Sequence, residues 1–285
     1  MSRPTAPSRA IVNALSVDVE EYFHAKVFQE GTNGARTDLE SRVEASTERV
    51  LALLAASGAR ATFFVLGQVA ADHPNLIRKI GREQHEIACH GDGHELVSRQ
   101  TPPEFRADVR RAKALLEDIT GEAVVGYRAP NFSIGRAQAW AYEILMTEGF
   151  RYDSSSYPIR HDSYGDHAAP RFQHDVWRNG SASLIEFPIG TTRLLGMNLP
   201  IGGGGYFRLL PMALTRAGIR RVNTGERPPV LFYFHPWELD PHQPRPRMPW
   251  RNRVRLYIGM AREEQKLAGL FRDIKFTTIR DVLAI

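Results

Sequence analysis

The chain has one cysteine, Cys89, among 285 residues. That excludes an intrachain disulfide scaffold and any Cys-rich zinc or iron–sulfur site. Lysine is nearly as scarce, supplying five of the 37 basic residues, with arginine supplying the rest. No apolar run approaches the ~18 residues that suggest a spanning helix. Residues 1–10 carry two arginines and no apolar stretch, so they do not read as a secretory signal. Zinc-finger spacing and a continuous basic helix are also missing, and nucleic-acid binding is not expected. The glycine run at 202–205 lacks the lysine and hydroxyl residue of a phosphate-binding loop and the spacing of a dinucleotide fingerprint. What is present is ample: 42% apolar residues for a core, and a net charge of +5. That charge reads as an Arg-rich solvated surface with one local density at 245–255.

Apolar runs predict strands at 11–18, 61–66, 86–89, 124–127, 184–187, 230–234 and 275–279. Helical spacing predicts helices at 42–57, 74–82, 102–119, 136–148 and 254–271. Thr101 and Glu104 form a capping-box pattern ahead of the third helix, and Gly58 closes the first. Segment 152–156 reads as a turn and 200–205 as a loop. Strands alternating with helices argue for a parallel sheet or barrel with its active site at the strand ends. The length fits a single domain, residues 1–285, with a rim loop around 195–210 and a C-terminal segment at 236–285.

Polar clusters follow several of the apolar strands. Asp18 and Glu20, at i and i+2, share a side of an extended backbone, so one can serve a metal and the other act as a base. His90 and His94 follow the third strand with two glycines between them, which predicts a tight loop presenting two imidazoles. Arg128 follows the next strand and can hold a carboxylate ionised in fixed geometry. His235 follows the strongest strand and is a candidate acid or base. Two histidines and a carboxylate complete a facial metal site with open positions. Tyr22, Phe23, Trp177, Tyr206, Phe207 and Trp237 are candidates for an aromatic substrate surface, and the loop 202–207 is a candidate lid or substrate wall.

These residues resemble the NodB-homology polysaccharide deacetylases, carbohydrate esterases that remove N-acetyl groups from amino sugars. The narrower likeness is to deacetylases encoded beside bacterial exopolysaccharide and exosortase loci, the XrtA/PEP-CTERM-associated branch. It rests on SVDVEEYFH at 16–24, ATFFVLG at 61–67, YRAP at 127–130, YDSS at 152–155, YFHPWE at 233–238 and FTTIRDVL at 276–283. It spans about residues 12–283. The resemblance implies a deformed (β/α)7-type barrel in the α/β class. It implies Asp18 as general base and Glu20, His90 and His94 as metal ligands. Arg128 would orient Asp18, a backbone N–H near Asn131 would help hold the oxyanion, and His235 would be the general acid, supported by Asp175 and Trp177. The implied metal is Zn2+, with Co2+, Fe2+ or Ni2+ as substitutes.

Two departures stand out. The first motif reads Asp-Val-Glu where many members have adjacent aspartates, which implies a shifted metal site. Gly91 stands where serine or threonine is usual, which implies a looser histidine loop. The implied partner is an N-acetylated amino-sugar polymer, an exopolysaccharide or its lipid-linked oligosaccharide precursor, and the chain is a candidate homo-oligomer. Alternative readings are a deformylase, a cyclic-imide or amide hydrolase, a non-catalytic carbohydrate-binding relative, or an assembly protein of the export system. The lone cysteine and the lack of a signal lead to the expectation of a cytoplasmic enzyme, with peripheral attachment to the inner membrane as a further option.

Overall fold

The computed structural model describes residues 11–32, 39–161 and 164–285. Its strands are β1 (Asn13–Val19), β2 (Thr62–Val65), β3 (Glu86–Cys89), β4 (Gly126–Tyr127), β5 (Tyr152–Asp153), β6 (His174–Asn179), β7 (Ala182–Glu186), β8 (Thr191–Leu194), β9 (Met197–Pro200), β10 (Leu231–Phe234) and β11 (Phe276–Thr277). The main sheet runs β10-β1-β2-β3-β4-β5-β7-β6, with β11 on β1. Among the described residues, seven consecutive strands from β10 to β7 pair in parallel, and β6 joins as an antiparallel edge.

Period-two alternation explains why these strands carry both a core and a site. In β1, Leu15, Val17 and Val19 point outward to the helices and join Phe63, Val65, Ile87, Cys89, Phe232 and Phe234 in one apolar layer. Ala14 points inward and meets Phe64, Ala88, Tyr152, Leu231 and Tyr233 in a second cluster. The inward positions that continue this alternation past the apolar layer are Asp18 and Glu20, His90, Arg128 and His235. β1, β3, β4 and β10 therefore each offer a polar group to the interior at the C-terminal end. Cys89, the last residue of β3, is fully buried and turns its side chain to the outward apolar layer, opposite to His90.

The barrel closes where no named strand completes it. Gly190 N–H donates to Leu231 O at 2.9 Å, and Tyr233 N–H donates to Gly202 O at 2.8 Å. A Cβ on Gly203 would lie 1.9 Å from Tyr233 O, and its φ is +102°. Only glycine permits this approach, so the glycine run serves barrel closure, and a helix, Gly204–Leu209, starts within it. Of the two expectations for this loop, lid or substrate wall, its packing fits the wall.

The helices Val43–Ser57, Pro74–Arg82 and Pro102–Thr120 match expectation closely. Thr101 N–H donates to the Glu104 carboxylate at 2.8 Å, as the capping box requires. Other expectations change. Tyr152–Asp153 is a strand, because parallel pairing to β4 and β7 imposes extension on a turn-like sequence. The expected helix at 254–271 is two helices, Trp250–Tyr257 and Met260–Asp273, interrupted at Gly259. The last strand ends at Thr277 and gives way to a helix, Ile279–Leu283, capped by Thr278. β7 carries the strand expected at 184–187, whereas β6 and the hairpin β8–β9 are strands that no apolar run predicted.

Candidate active site

A cavity of about 320 Å³ opens at the C-terminal ends of the strands, with Asp18, Glu20, His90, His94, Asn131, Tyr206, His235 and Trp237 in its wall. Glu20, His90 and His94 present one donor atom each, all within 4.8 Å of one another, and all three are buried. His94 Nε2 lies 2.6 Å and His90 Nε2 3.9 Å from Glu20 Oε2. His90 Nδ1 is 2.8 Å from Arg128 O, which engages that nitrogen and leaves Nε2 directed at the carboxylate. Burial pushes the His90 pKa down to about 4, so its ring is neutral and able to ligate at pH 7. Burial alone would raise the Glu20 carboxyl, but the charges of His94, His235 and His90 and the His94 hydrogen bond hold it well below the usual range. Two imidazoles and an ionised carboxylate form a donor set suited to a divalent ion. The longer side chain of Glu20 brings one oxygen near both histidines.

The histidine loop is not loosened by Gly91. Gly67 N–H donates to Gly91 O at 2.9 Å, Gln68 N–H to Asp92 O at 3.0 Å, and Asp92 N–H to Asp108 Oδ2 at 3.1 Å. Arg111 Nε adds a bond to Asp92 Oδ2 at 3.0 Å. Gly91 sits at φ +79°, and a Cβ there would lie 3.0 Å from Asp108 Oδ2, so the turn itself calls for glycine. His94 follows at φ +60°, and Asn131 on the facing wall at φ +51°, both left-handed.

Asp18 accepts from Arg128 Nη1 at 2.5 Å through Oδ1. Arg128 is fully buried and also donates to Ser16 Oγ at 2.9 Å, Ser154 O at 3.0 Å and Ser154 Oγ at 2.8 Å, with its guanidinium 4.1 Å from the Phe64 ring centroid. It lies behind Asp18 and outside the cavity wall. The other carboxylate oxygen of Asp18 faces His235 Nε2 at 3.9 Å, and that nitrogen is 3.6 Å from Glu20 Oε1. Burial opposes a charge on His235, but the carboxylates of Glu20, Glu238 and Asp18 prevail and raise its pKa to about 9.

Asp175 and Trp177 require correction. Both lie on β6 at the sheet edge and neither lines the cavity. Asp175 is exposed and bound by Arg178 Nε at 3.0 Å, and Trp177 packs on the outer apolar layer. The partner of His235 is Glu238, whose Oε1 lies 2.7 Å from Nδ1. Glu238 is fully buried and its other oxygen pairs with Arg208 Nε at 2.8 Å. Its place three residues after His235 was the available signal, whereas nothing local marks Arg208. Tyr22 is also outside the cavity, fully buried with Phe28, Trp237, Leu256 and Met260, and Phe23 packs beside that cluster. Trp237 stacks on His235 at 5.0 Å between centroids and donates from Nε1 to Glu20 Oε1 at 3.3 Å, so it holds two site side chains. Tyr206 remains on the open wall. His24, unassigned from sequence, stacks on His94 at 5.2 Å.

Residues 30–145 match the polysaccharide deacetylase family model, and residues 154–284 match a domain of unknown function, DUF3473. The site draws on both and on the segment before them: Asp18 and Glu20 precede the first match, His90, His94 and Arg128 lie in it, and His235 lies in the second. A peptidoglycan-N-acetylglucosamine deacetylase of Bacillus cereus is 31% identical over 98 residues, 34% of this chain and 36% of that protein. A chitooligosaccharide deacetylase of a Bradyrhizobium species is 32% identical over 101 residues, 35% of this chain and 44% of that protein. The chain thus spans less than half the length of these curated relatives. A crystal structure assigned as a polysaccharide deacetylase from Mycobacterium smegmatis superposes with a TM-score of 0.61 at 20% identity, covering 99% of this chain and 93% of that one. The fold is therefore the parallel α/β fold shared with NodB-type deacetylases.

Proposed function

We propose that this chain, for which the comparisons support the polysaccharide deacetylase family, hydrolyses the N-acetyl amide of amino sugars in a bacterial exopolysaccharide or its lipid-linked precursor. One observation carries the reading: Asp18 and His235 face each other at 3.9 Å beside the Glu20, His90 and His94 trio. A carboxylate and an imidazole on either side of one reacting centre are what amide hydrolysis needs. Glu20, His90 and His94 would hold the metal, with zinc first among the candidates. When bound, a divalent ion there supplies Lewis-acid polarisation of a water and of an amide carbonyl.

The protein's own groups divide the proton work. Arg128 occupies one oxygen of Asp18 and leaves the other turned toward the cavity, where it takes a proton from the attacking water. Attack on the carbonyl carbon gives a tetrahedral oxyanion, and the wall at Asn131 offers a backbone donor toward it. His235, held by Glu238, gives its proton to the departing nitrogen as the C–N bond breaks. The products are acetate and a free amine. Tyr206 offers the sugar a ring face on the open side of the cavity.

The test couples metal analysis to acetate release from N-acetylglucosamine oligomers and the native exopolysaccharide, with formate assayed in parallel. Asp18→Asn and His235→Ala should each lower turnover by at least about 100-fold while the folded state persists. Turnover within tenfold of wild type in either variant would remove that residue from its role. Formate in place of acetate would reassign the acyl group.

A further inference from the structure

We propose that the helix Trp250–Tyr257, at the mouth of the cavity, is a docking surface for an anionic lipid membrane. Its inward side is anchored: Leu256 is buried with Tyr22, Phe28, Trp237 and Met260. Its outward side carries Trp250, 70% exposed, and Val254, 47% exposed, four residues apart, and Ile258, 39% exposed, follows just past the helix end. Leu209, 55% exposed, belongs to the same lip of the cavity. Large apolar side chains grouped outward on one helix face mark an interaction surface.

Charge identifies the partner. Residues 241–262 contain Arg245, Arg247, Arg251, Arg253, Arg255 and Arg262 and no aspartate or glutamate. All six arginines are exposed. Arg251 lies 5.6 Å from the Trp250 ring centroid and Arg245 4.9 Å from that of Tyr257. Arg245, Arg253, Val254, Tyr257 and Ile258 together line a shallow depression. The helix packed beside it, Lys26–Gly31, contributes Lys26 and one carboxylate, Glu30, paired with each other. An exposed tryptophan with aliphatic neighbours, framed by arginines, matches the boundary between acyl chains and anionic headgroups. A nucleic acid backbone would leave the apolar row unused. A second copy across a twofold axis would set these arginines against themselves.

The same helix supplies Arg255 and Leu256 to the cavity wall. Docking would therefore hold the mouth at the lipid surface. Resting on the functional reading above, this favours a substrate carried on a membrane anchor. The docking itself does not depend on catalysis, and its test reads none.

The full chain is cosedimented with phosphatidylcholine vesicles and with vesicles that also contain phosphatidylglycerol, at low and high salt. Binding should require phosphatidylglycerol and weaken with salt. Arg251→Glu with Arg253→Glu should reduce it more than tenfold, and Trp250→Ser with Val254→Ser likewise, with thermal unfolding midpoints near wild type. Should those variants fail to fold, quenching of wild-type tryptophan fluorescence by brominated lipid decides, with Trp250→Phe as the control that removes the signal. Equal binding to neutral vesicles, no binding, or no quenching dependent on Trp250 overturns the proposal. So does a dimer that Trp250→Ser dissociates in the absence of lipid, or capture of acidic peptides without any vesicle binding.

Discussion

Glu238 shows how much can depend on one buried carboxylate. It has no exposed surface, and it meets His235 through one oxygen and Arg208 through the other. Burial alone would raise its pKa, but the Arg208 charge and the His235 bond hold it below the usual carboxyl range. Arg208 in turn donates from Nη1 to Leu256 O at 2.5 Å and Ile258 O at 3.3 Å, which ties the helix Trp250–Tyr257 to His235 through Glu238. Glu238→Ala should cost about 3 kcal/mol or more, because it leaves a buried guanidinium without its counter-charge. It should also lower kcat at least about tenfold with KM little changed, since His235 loses its orienting partner. Urea unfolding and acetate release check the two parts separately. Stability within about 1 kcal/mol of wild type would mean that Arg208 finds other partners. At this scale the sequence marked Asp18, Glu20, His90, His94, Arg128 and His235 as polar groups ending strands. It misassigned Asp175, because a carboxylate on an edge hairpin looks no different locally from one beside a histidine.

Strand ends and glycines carry the next level. Gly203→Ala would place a Cβ 1.9 Å from Tyr233 O in a left-handed backbone, so the segment must withdraw from β10. The expected loss is about 3 kcal/mol or more by denaturant unfolding, and a loss below about 1 kcal/mol would show that the barrel does not need this closure. The start of β2 predicts a pH effect. His85 Nδ1 accepts from Ala61 N–H at 3.3 Å, which requires an unprotonated nitrogen. Burial, with the nearby Arg60 charge, lowers its pKa to about 4 from an ordinary 6.5. Between those values the unfolded chain binds the extra proton and the folded chain does not. The stabilising term is thus complete above about pH 6.5 and declines as pH falls toward 4. After solvent screening it amounts to roughly 1–2 kcal/mol. His85→Gln should flatten that part of the acid limb, because the amide oxygen can still accept from Ala61 and does not titrate. Parallel unfolding series from pH 7 to about 4.5 check this. Identical slopes in both proteins would contradict it. Helices with local signals, such as Pro102–Thr120, were legible, whereas strands as short as Tyr152–Asp153 were not, since two residues carry no period.

A metal held by Glu20, His90 and His94, as proposed, should register in the whole molecule as stability. A ligand that binds only the folded state at about 100 times its Kd adds roughly 2.7 kcal/mol. For a chain of this size that raises Tm by roughly 5–10 °C, and chelation should reverse it. His94→Ala should unfold at the same temperature with and without zinc, as read by calorimetry. An equal response of wild type and variant would place the ion elsewhere. Period-two patterning by itself determined that β1, β2, β3 and β10 would each bury one face outward and one inward, because side-chain direction alternates by local geometry alone. It likewise determined which polar residues would stand at the strand ends, and hence the donor types of the site. Only the tertiary structure decided which of them meet. His235 is supported by Glu238 and Arg208 and not by Asp175, and the glycine run closes the barrel in place of a lid. Trp250 faces outward beside the cavity while Tyr22 is sealed beneath it. Those outcomes depend on contacts between segments distant in the chain, such as Arg208 with Leu256 and Gly203 with Tyr233. Local periodicity constrains the direction of each side chain and carries no information about what lies opposite it.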